Sequence, residues 1–215
     1  MNNAAHSEKP YHHGDLRQEL MGSACEHIAR EGTEKLSLRA LAREAGVSAT
    51  APYRHFPTKN CLLAAIASEG FSELLERMRA NTGHCQDPIE AITVCGRTYI
   101  EYALANPIKF HLMFGGAIAD FSPYEDLQVT SSAAFDAVIE LIGNAQRAGL
   151  VEQAPLEEVA SYLWSAIHGV ASLLIKLQKA EEQNANQVSN SMSSLRYMNE
   201  HLDALFNRVL RGVRV

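Results

Sequence analysis

Apolar residues recur at spacings of three and four along most of the chain, which is the period of an α-helix packed on a core. The first such stripe consists of Leu16, Leu20, Ala24 and Ile28 within residues 15–31. Gly32 follows it directly, and glycine is a common residue just past a helix end. The pattern therefore predicts a first helix over residues 15–31.

Two shorter helices are predicted next, and polar residues mark where they begin. Ser37 has the side chain that caps a helix start, and Gly46 ends the helix that follows it. Ser48 caps a very short helix over residues 49–55, which Phe56-Pro57 ends. The N-terminal quarter of the chain is thus expected to hold three helices.

The remainder of the chain has the same helical period. No stretch shows the alternation of apolar and polar residues that marks a strand. We predict an all-α protein of about nine helices, in which the polar segment EEQNANQVSN is a loop. The further predicted helices cover residues 58–80, 87–105, 107–114, 122–148, 155–179 and 191–213.

Residues 37–59 have the pattern of a helix-turn-helix, in which a second helix is free to enter the DNA major groove. Ala42 is small where the two helices approach, and Gly46 can take the positive φ that the turn needs. Phe56 is expected to fill the space after the second helix. The buried face is predicted to be Leu38, Leu41, Ala45 and Val47, and the outward polar residues Arg39, Arg43, Thr50, Tyr53, Arg54 and His55.

The charge distribution permits a DNA-binding head, although the net charge is −6. The first 60 residues carry eight Lys and Arg against seven Asp and Glu, whereas the other 155 carry 11 against 18. DNA would repel the acidic part and leave the near-neutral head to approach it. We accordingly predict domains at residues 10–57 and 58–215.

The sequence shows no motif for export, membrane spanning, catalysis or metal binding. The segment MNNAAHSEK has no apolar export signal, and no apolar run approaches the ~18 residues of a membrane span, so we expect a cytoplasmic protein that makes no membrane contact. We find no nucleophile elbow, phosphate-binding loop or HExxH motif, and expect neither an enzyme nor a bound cofactor. The four cysteines, at positions 25, 61, 85 and 95, lack metal-ligand spacing, so no metal site is expected.

The segment GVSATAPYRHFPTK, residues 46–59, resembles the turn, recognition helix and following lysine of the TetR family of repressors. The segments YHHGDLRQEL, LANPIKFHLMFGG and WSAIHG resemble a branch of that family with a Trp-x-x-x-His-Gly motif in its C-terminal domain. The resemblance implies an all-helical homodimer that regulates transcription, with a ligand cavity in each C-terminal domain. It also implies double-stranded DNA, at a near-palindromic operator, as the partner.

The chemistry of the residues and this resemblance together assign roles in DNA binding. Thr50 and Arg54 are the candidates for reading bases, since an arginine pairs bidentately with guanine. The other residues are expected to contact phosphates, with side chains or through the backbone at the start of the recognition helix. These are Ser37, Arg39, Ser48, Ala49, Tyr53, His55 and Lys59.

Pro52 departs from the family pattern, which has an apolar, usually leucine-like, residue at that place. A proline removes one early helical hydrogen bond. We expect it to tilt the recognition helix.

The C-terminal domain is rich in aromatic and large apolar residues, most of which are expected to pack in its core. The resemblance implies that some line a cavity, where tyrosine hydroxyls and a histidine, His168 or also His111, would orient an otherwise apolar effector. The identity of this effector stays open. The candidate ligand contacts are Phe71, Met78, Tyr99, Tyr102, Phe110, Met113, Phe114, Phe135, Trp164 and His168.

Trp164 and His168 stand four residues apart, so they share one face of the penultimate predicted helix. A purely structural role for His168 is the alternative to ligand contact. Dimerisation is expected through residues 156–179 and 191–213, which have long apolar stripes in need of a partner. The alternative function for the whole chain is a helical protein-interaction module without effector binding.

Overall fold

The computed structural model describes residues 16–183 and 190–215. Within these residues it contains nine α-helices, two 3-10 turns and one isolated β-bridge, so the predicted all-α class is confirmed. The contacts divide the chain into an N-terminal unit, Met1–Leu63, and a C-terminal unit, Ala64–Val215. The predicted domain boundary, after residue 57, lies slightly before this division, and residues 10–15 lie outside the described part.

The N-terminal unit is built on three helical segments. They are α1 (Leu16–Glu31), α2 (Leu38–Glu44) and the first residues of α3 (Lys59–Thr82), with 3-10 turns at Thr33–Lys35 and Pro52–Arg54. The predicted stripe of α1 is buried, as are Leu38, Leu41 and Ala42 of α2. Ala45 and Val47, which were predicted to be buried, are only half-buried.

The segment between α1 and α3 has the predicted capping chemistry. The hydroxyl of Ser37 accepts a hydrogen bond from the backbone N–H of Ala40 at 3.1 Å, as an N-cap does. Gly46 has φ of +67°, a conformation that glycine adopts without strain. Phe56 is 1% exposed, and the Arg17 guanidinium lies 5.5 Å from the centre of its ring. The turn and the apolar plug therefore form where the sequence predicts them.

The C-terminal unit holds the rest of α3 and six further helices among the described residues. Its core combines α4, α6, α7 and α9 with the short connection that contains Val151. The backbone N–H of Glu152 donates to the carbonyl of Val213 at 2.9 Å, which fixes the chain end against this connection. The helices are α4 (Pro88–Ala105), α5 (Pro107–Phe114), α6 (Glu125–Arg147), α7 (Leu156–Glu182), α8 (Asn190–Glu200) and α9 (Leu202–Arg211).

The single helix predicted over residues 191–213 is wrong, because the chain breaks at His201 between α8 and α9. The His201 ring stacks on Tyr197 with centroids 4.0 Å apart, and its Nδ1 lies 2.8 Å from the Tyr197 carbonyl oxygen. The backbone N–H of His201 donates instead to Met198. A side chain thus occupies a carbonyl that a continuous helix would use for its backbone. The number of α-helices among the described residues still equals the predicted nine. The extra helix at this break offsets the helix predicted over residues 49–55, which does not form.

Helix α7 is longer than predicted and reaches Glu182. The predicted loop over residues 181–190 falls mainly on residues 184–189, which lie outside the described residues. By length and composition alone α7 is able to cross a membrane, with a mean hydropathy of 1.2 over its most apolar stretch. Its Val159, Leu163 and Leu174 are buried in the C-terminal unit, and the core helix of a folded domain passes the same test.

Candidate nucleic-acid interface and ligand cavity

The segment between Ser48 and Phe56 contains a 3-10 turn at Pro52–Arg54, preceded by a loop, and not the short α-helix that the sequence predicts. The N–H groups of Ala51, Arg54 and His55 each donate to the carbonyl three residues earlier, at 2.9, 3.2 and 3.0 Å. Pro52 accounts for the first of these bonds, because it has no N–H to donate to Ser48 in an α-helix. The carbonyl of Ser48 accepts from Ala51 instead. Pro52 therefore favours a 3-10 turn at this place, and the tilt stays a prediction.

This tighter segment turns its polar side chains outward. We define the recognition face as Ser48, Ala49, Thr50, Tyr53, Arg54 and His55, all of which are exposed. Tyr53 is 43% exposed. The predicted backbone contacts Ser37 and Arg39 are exposed as well, at the start of α2. Eight of the nine predicted DNA-binding residues thus have their side chains open to a partner.

Three of the hydroxyls on or near this face also have internal partners. Ser37 caps α2, and the Ser48 and Thr50 hydroxyls lie 3.2 Å apart. A groove of about 590 Å³ adjoins the face, lined by Leu16, by the turn at Gly46 and by part of the recognition face. The hydroxyl pair holds the loop that precedes the 3-10 turn, while each oxygen keeps a free lone pair.

Lys59 differs from the other eight predicted residues because it is half-buried. Its ammonium group donates to the carbonyl oxygen of Thr33 at 3.0 Å. This bond joins the start of α3 to the 3-10 turn that follows α1. Lys59 therefore has a structural contact within the N-terminal unit, which the sequence did not indicate.

The C-terminal unit contains a cavity of about 410 Å³ between α3, α4, α5, α6 and α7. Seven of the ten predicted ligand contacts line this C-terminal cavity. They are Phe71, Met78, Tyr99, Met113, Phe114, Phe135 and Trp164. A smaller apolar space of about 60 Å³ adjoins it and shares Met78, Tyr99 and Trp164.

The other three predicted contacts, Tyr102, Phe110 and His168, lie behind this wall. Tyr102 is fully buried and its hydroxyl donates to Glu73 at 3.0 Å. Phe110 stacks on the His168 ring with centroids 5.3 Å apart. His111, the additional histidine considered above, is exposed on α5.

Tyr99 is the centre of a hydrogen-bonded group at the cavity wall. Its hydroxyl lies 2.8 Å from His168 Nδ1, and the Trp164 indole N–H donates to the Tyr99 oxygen at 3.3 Å. Burial raises the pKa of Tyr99, which the hydrogen bond from Trp164 opposes, and burial lowers the pKa of His168. Both shifts favour the neutral forms. Trp164 and His168, the two residues of the Trp-x-x-x-His motif, are thus both hydrogen-bonded to Tyr99, which is distant from them in sequence.

Sequence reasoning missed seven residues of the cavity wall. The loop after α5 and the inner face of α6 supply most of them, and no periodic pattern separates these positions from ordinary core. They are Leu74, Gly116, Ile118, Phe121, Ser131, Ala134 and Val138.

A second polar cluster next to the cavity was also missed. The Lys109 ammonium lies 2.8 Å from Glu69 and 2.7 Å from Glu73, and so ties α5 to α3. Desolvation lowers the pKa of Lys109, but the hydrogen bonds to Glu69 and Glu73 outweigh it and raise the pKa overall. Burial, followed by the charge of Glu73, raises the pKa of Tyr102. This cluster holds α5 as one wall of the cavity.

Comparison with known proteins agrees with both parts of the chain. Residues 20–66 match the sequence model of bacterial regulatory proteins of the tetR family, and residues 92–192 match that of the tetracyclin repressor-like C-terminal domain. The nucleoid occlusion factor SlmA of Haemophilus influenzae (strain PittGG) is 28% identical over 106 residues, which are 49% of this chain and 47% of that protein. The match to such curated relatives thus spans about half of their length.

Solved structures show the same fold over nearly the whole chain. A protein of unknown function from Rhodococcus sp. RHA1 is 28% identical and superposes with a TM-score of 0.75, covering 97% of this chain and 100% of its own. A TetR family transcription regulator from Marinobacter aquaeolei VT8 is 16% identical, with a TM-score of 0.68 and coverage of 94% and 96%. The two family models together match more than half of the residues, and the chain therefore belongs to the TetR family.

Proposed function

We propose that this protein is a transcriptional repressor that binds duplex DNA through the recognition face and is released by a small molecule in the C-terminal cavity. The observation that carries the proposal is the exposure of Thr50, Tyr53, Arg54 and His55 on one short segment after a helix-turn-helix turn. These side chains supply hydroxyl, guanidinium and imidazole donors, which are the groups that contact phosphates and base edges.

Individual roles follow from the chemistry of the exposed groups. Arg54 and Thr50 are proposed to read bases, because an arginine pairs bidentately with guanine and a threonine hydroxyl can bond to a base edge. Tyr53 and His55 would donate to phosphates, together with Ser37, Arg39, Ser48, the backbone at Ala49 and Lys59. For Lys59 this requires the ammonium to contact DNA while it also donates to Thr33. An ammonium has three hydrogens, so both contacts are chemically possible.

The regulatory half of the proposal rests on the C-terminal cavity. A volume of about 410 Å³ lies in the range of small-molecule sites, and the wall is mainly apolar with six aromatic side chains. An effector that fits only one arrangement of the protein would shift the population away from the DNA-bound form. We also place the chain in the branch with the Trp-x-x-x-His-Gly motif, since Trp164 and His168 meet at Tyr99.

We propose that the functional form is a homodimer that assembles through residues 156–179 and 191–213. A near-palindromic operator needs two heads about 34 Å apart, or a multiple of it, and only a symmetric assembly supplies them. On α7, a Cβ added at Gly169 would meet no atom of the described chain within 4 Å, and Leu173 on the next turn is 41% exposed. This small and apolar patch suits the close approach of a partner helix. The proposed location is the cytoplasm, where such a regulator meets DNA.

The dimer is testable at Gly169 because a side chain there has room within one chain. Gly169→Arg should give monomers that keep the helical circular dichroism spectrum, since the arginine blocks only a partner helix. Gly169→Ala is the matched control and should remain a dimer in sedimentation analysis. Dimers of Gly169→Arg with unchanged affinity would rule out this surface as the interface.

DNA binding is tested by footprinting the full-length protein on the region upstream of its own gene. The expected footprint has two half-sites related by a two-fold axis. A variant with Tyr53, Arg54 and His55 all replaced by alanine should leave no footprint. Protection that survives in this variant would show that DNA binding, if present, uses another surface, and protection by neither protein would favour the protein-interaction module.

A further inference from the structure

The wall of the C-terminal cavity carries polar side chains but no charged ones. Among the described residues, no Asp, Glu, Lys or Arg lines it, and the lining side chains able to hydrogen-bond through N–H or O–H are those of Tyr99, Ser131 and Trp164. Burying an ion without a partner costs far more than burying a neutral group. The cavity therefore offers no counter-charge to an ionic ligand.

The donor hydrogens of these three side chains are already engaged within the protein. The Ser131 hydroxyl donates to the carbonyl of Gln128 at 3.1 Å, and the Trp164 N–H donates to Tyr99. What remains on Ser131 is acceptor capacity, because a hydroxyl has one hydrogen and two lone pairs. Trp164 has no second hydrogen to offer.

The direction of the hydrogen bond between Tyr99 and His168 determines whether the Tyr99 oxygen can accept a hydrogen bond from a ligand. If His168 Nδ1 donated, the Tyr99 oxygen would accept twice and its own hydrogen would be buried without an acceptor, at a cost of about 1–3 kcal/mol. When Tyr99 donates to an unprotonated Nδ1, the Tyr99 hydrogen and the Trp164 N–H both have acceptors. The low pKa that burial gives His168 is consistent with this neutral ring. The Tyr99 oxygen then keeps one lone pair as an acceptor.

We propose that the C-terminal cavity binds a neutral, mainly aromatic small molecule whose polar group donates a hydrogen bond, as a phenol or an aromatic alcohol does. This rests on the proposed function, which makes the cavity the effector site, and adds the chemical class of the effector. Phe71, Phe114, Phe135 and Trp164 supply aromatic surface on several sides, and Tyr99 and Ser131 supply the acceptors. Carboxylates, phosphates and ammonium ions are excluded.

The proposal is tested by calorimetric titration of the unmodified full-length protein with four naphthalenes substituted at the same ring carbon. Naphthol should bind about fivefold more tightly than methoxynaphthalene, which has the same ring and accepts but does not donate. Naphthoate and naphthylmethylammonium should bind at least about tenfold more weakly than naphthol. Tightest binding of naphthoate or of the ammonium, or no binding of any probe, would overturn the proposed class.

Tyr99→Phe locates the acceptor, because it removes the hydroxyl and keeps the ring. It should reduce the preference for naphthol over methoxynaphthalene, and Ser131→Ala should do the same if Ser131 is the acceptor. Tyr197→Phe on α8 is the matched control, since Tyr197 is 64% exposed and does not line the cavity. An unchanged preference in both cavity variants would contradict the assigned acceptors.

The fate of the proposed function is read separately, from DNA binding without and with naphthol. DNA binding that naphthol does not affect, together with the expected order of probe affinities, would support the ligand class and contradict release by this effector. Release of the protein from DNA by a carboxylate would support effector control and overturn the ligand class.

Discussion

The recognition face and the C-terminal cavity use polar side chains in opposite ways. On the recognition face, Tyr53, Arg54 and His55 are exposed, so their donors are available to an incoming partner. In the cavity, Tyr99 and Trp164 donate their hydrogens to neighbours within the protein. The first surface suits an anionic polymer rich in acceptors, whereas the second suits a neutral molecule that brings its own donor.

The difference shows that the number of polar residues at a site says less about its ligand than the number of unsatisfied donors. Both sites involve a tyrosine and a histidine, but only on the recognition face are both exposed to a partner, whereas His168 lies behind the cavity wall.

The largest effect is expected from Arg54→Ala on the recognition face. Loss of a bidentate arginine contact costs about 1–3 kcal/mol, or roughly five- to 150-fold in affinity for the operator, and relaxes base preference at one position. Fluorescence anisotropy with the operator and single-base variants of it measures both. Arg79→Ala removes the same charge from an exposed position on α3 in the C-terminal unit and should have little effect. An equal loss on every sequence would make Arg54 a phosphate contact.

The next effect is expected from Gly70→Ala, which acts on the cavity. A Cβ at Gly70 would stand 2.7 Å from the Met113 sulfur and 3.3 Å from the Tyr102 hydroxyl, so Met113 must shift. Because Met113 lines the cavity, overpacking of about 1–3 kcal/mol should weaken naphthol binding by about tenfold. Affinity for DNA without ligand should remain. Unchanged naphthol binding would show that Met113 moves away from the cavity.

The two sites also differ in how much of each could be predicted from sequence. The recognition face occupies one short segment after a recognisable turn, so local spacing predicts that Thr50 and Arg54 point outward. The cavity wall comes from five helices, and whether Ser131 or Val138 reaches it depends on how α6 packs. Periodicity marks such residues only as core.

Specific errors have equally specific physical causes. In place of the helix predicted over residues 49–55 the chain forms a loop and a 3-10 turn at Pro52–Arg54, to which the missing N–H of Pro52 contributes. Tyr102 stays a predicted ligand contact, but it does not line the cavity, and its hydroxyl donates to Glu73, 29 residues away. Local spacing in a sequence does not predict hydrogen bonds between distant residues. The bond from the Lys59 ammonium to the Thr33 carbonyl was not predicted for the same reason.

A smaller effect is expected from Lys59→Ala in the absence of DNA. The bond from its ammonium to the Thr33 carbonyl is half-buried, and its loss should lower the stability of the N-terminal unit by about 1 kcal/mol. Hydrogen exchange of amides in α1 and α2 measures this locally. Lys176→Ala, an exposed lysine on α7, should leave that exchange unchanged. If Lys59→Ala also leaves the exchange unchanged, the bond to Thr33 does not stabilise the N-terminal unit. Phosphate contact would then be the remaining proposed role of Lys59.

The smallest effect is the pH dependence that His168 contributes. Burial holds its folded-state pKa below the ordinary 6.5, so the unfolded chain takes up a proton first as pH falls. The stability that comes from the neutral ring is complete above about pH 6.5 and is lost as pH falls towards the folded pKa. Urea unfolding at pH 7.5 and 5.5 should show a smaller difference for His168→Gln than for the unmodified protein. Equal differences would contradict the depressed pKa.

The central claim, that exposed donors on the recognition face bind duplex DNA, is tested most directly by the salt dependence of binding. Anisotropy of the full-length protein on its upstream DNA and on a scrambled duplex, at several salt concentrations, gives two plots of log affinity against log salt. We expect affinity on both to fall steeply with salt, as phosphate neutralisation requires, and the upstream DNA to bind more tightly throughout. Affinity that is absent or insensitive to salt would contradict the account.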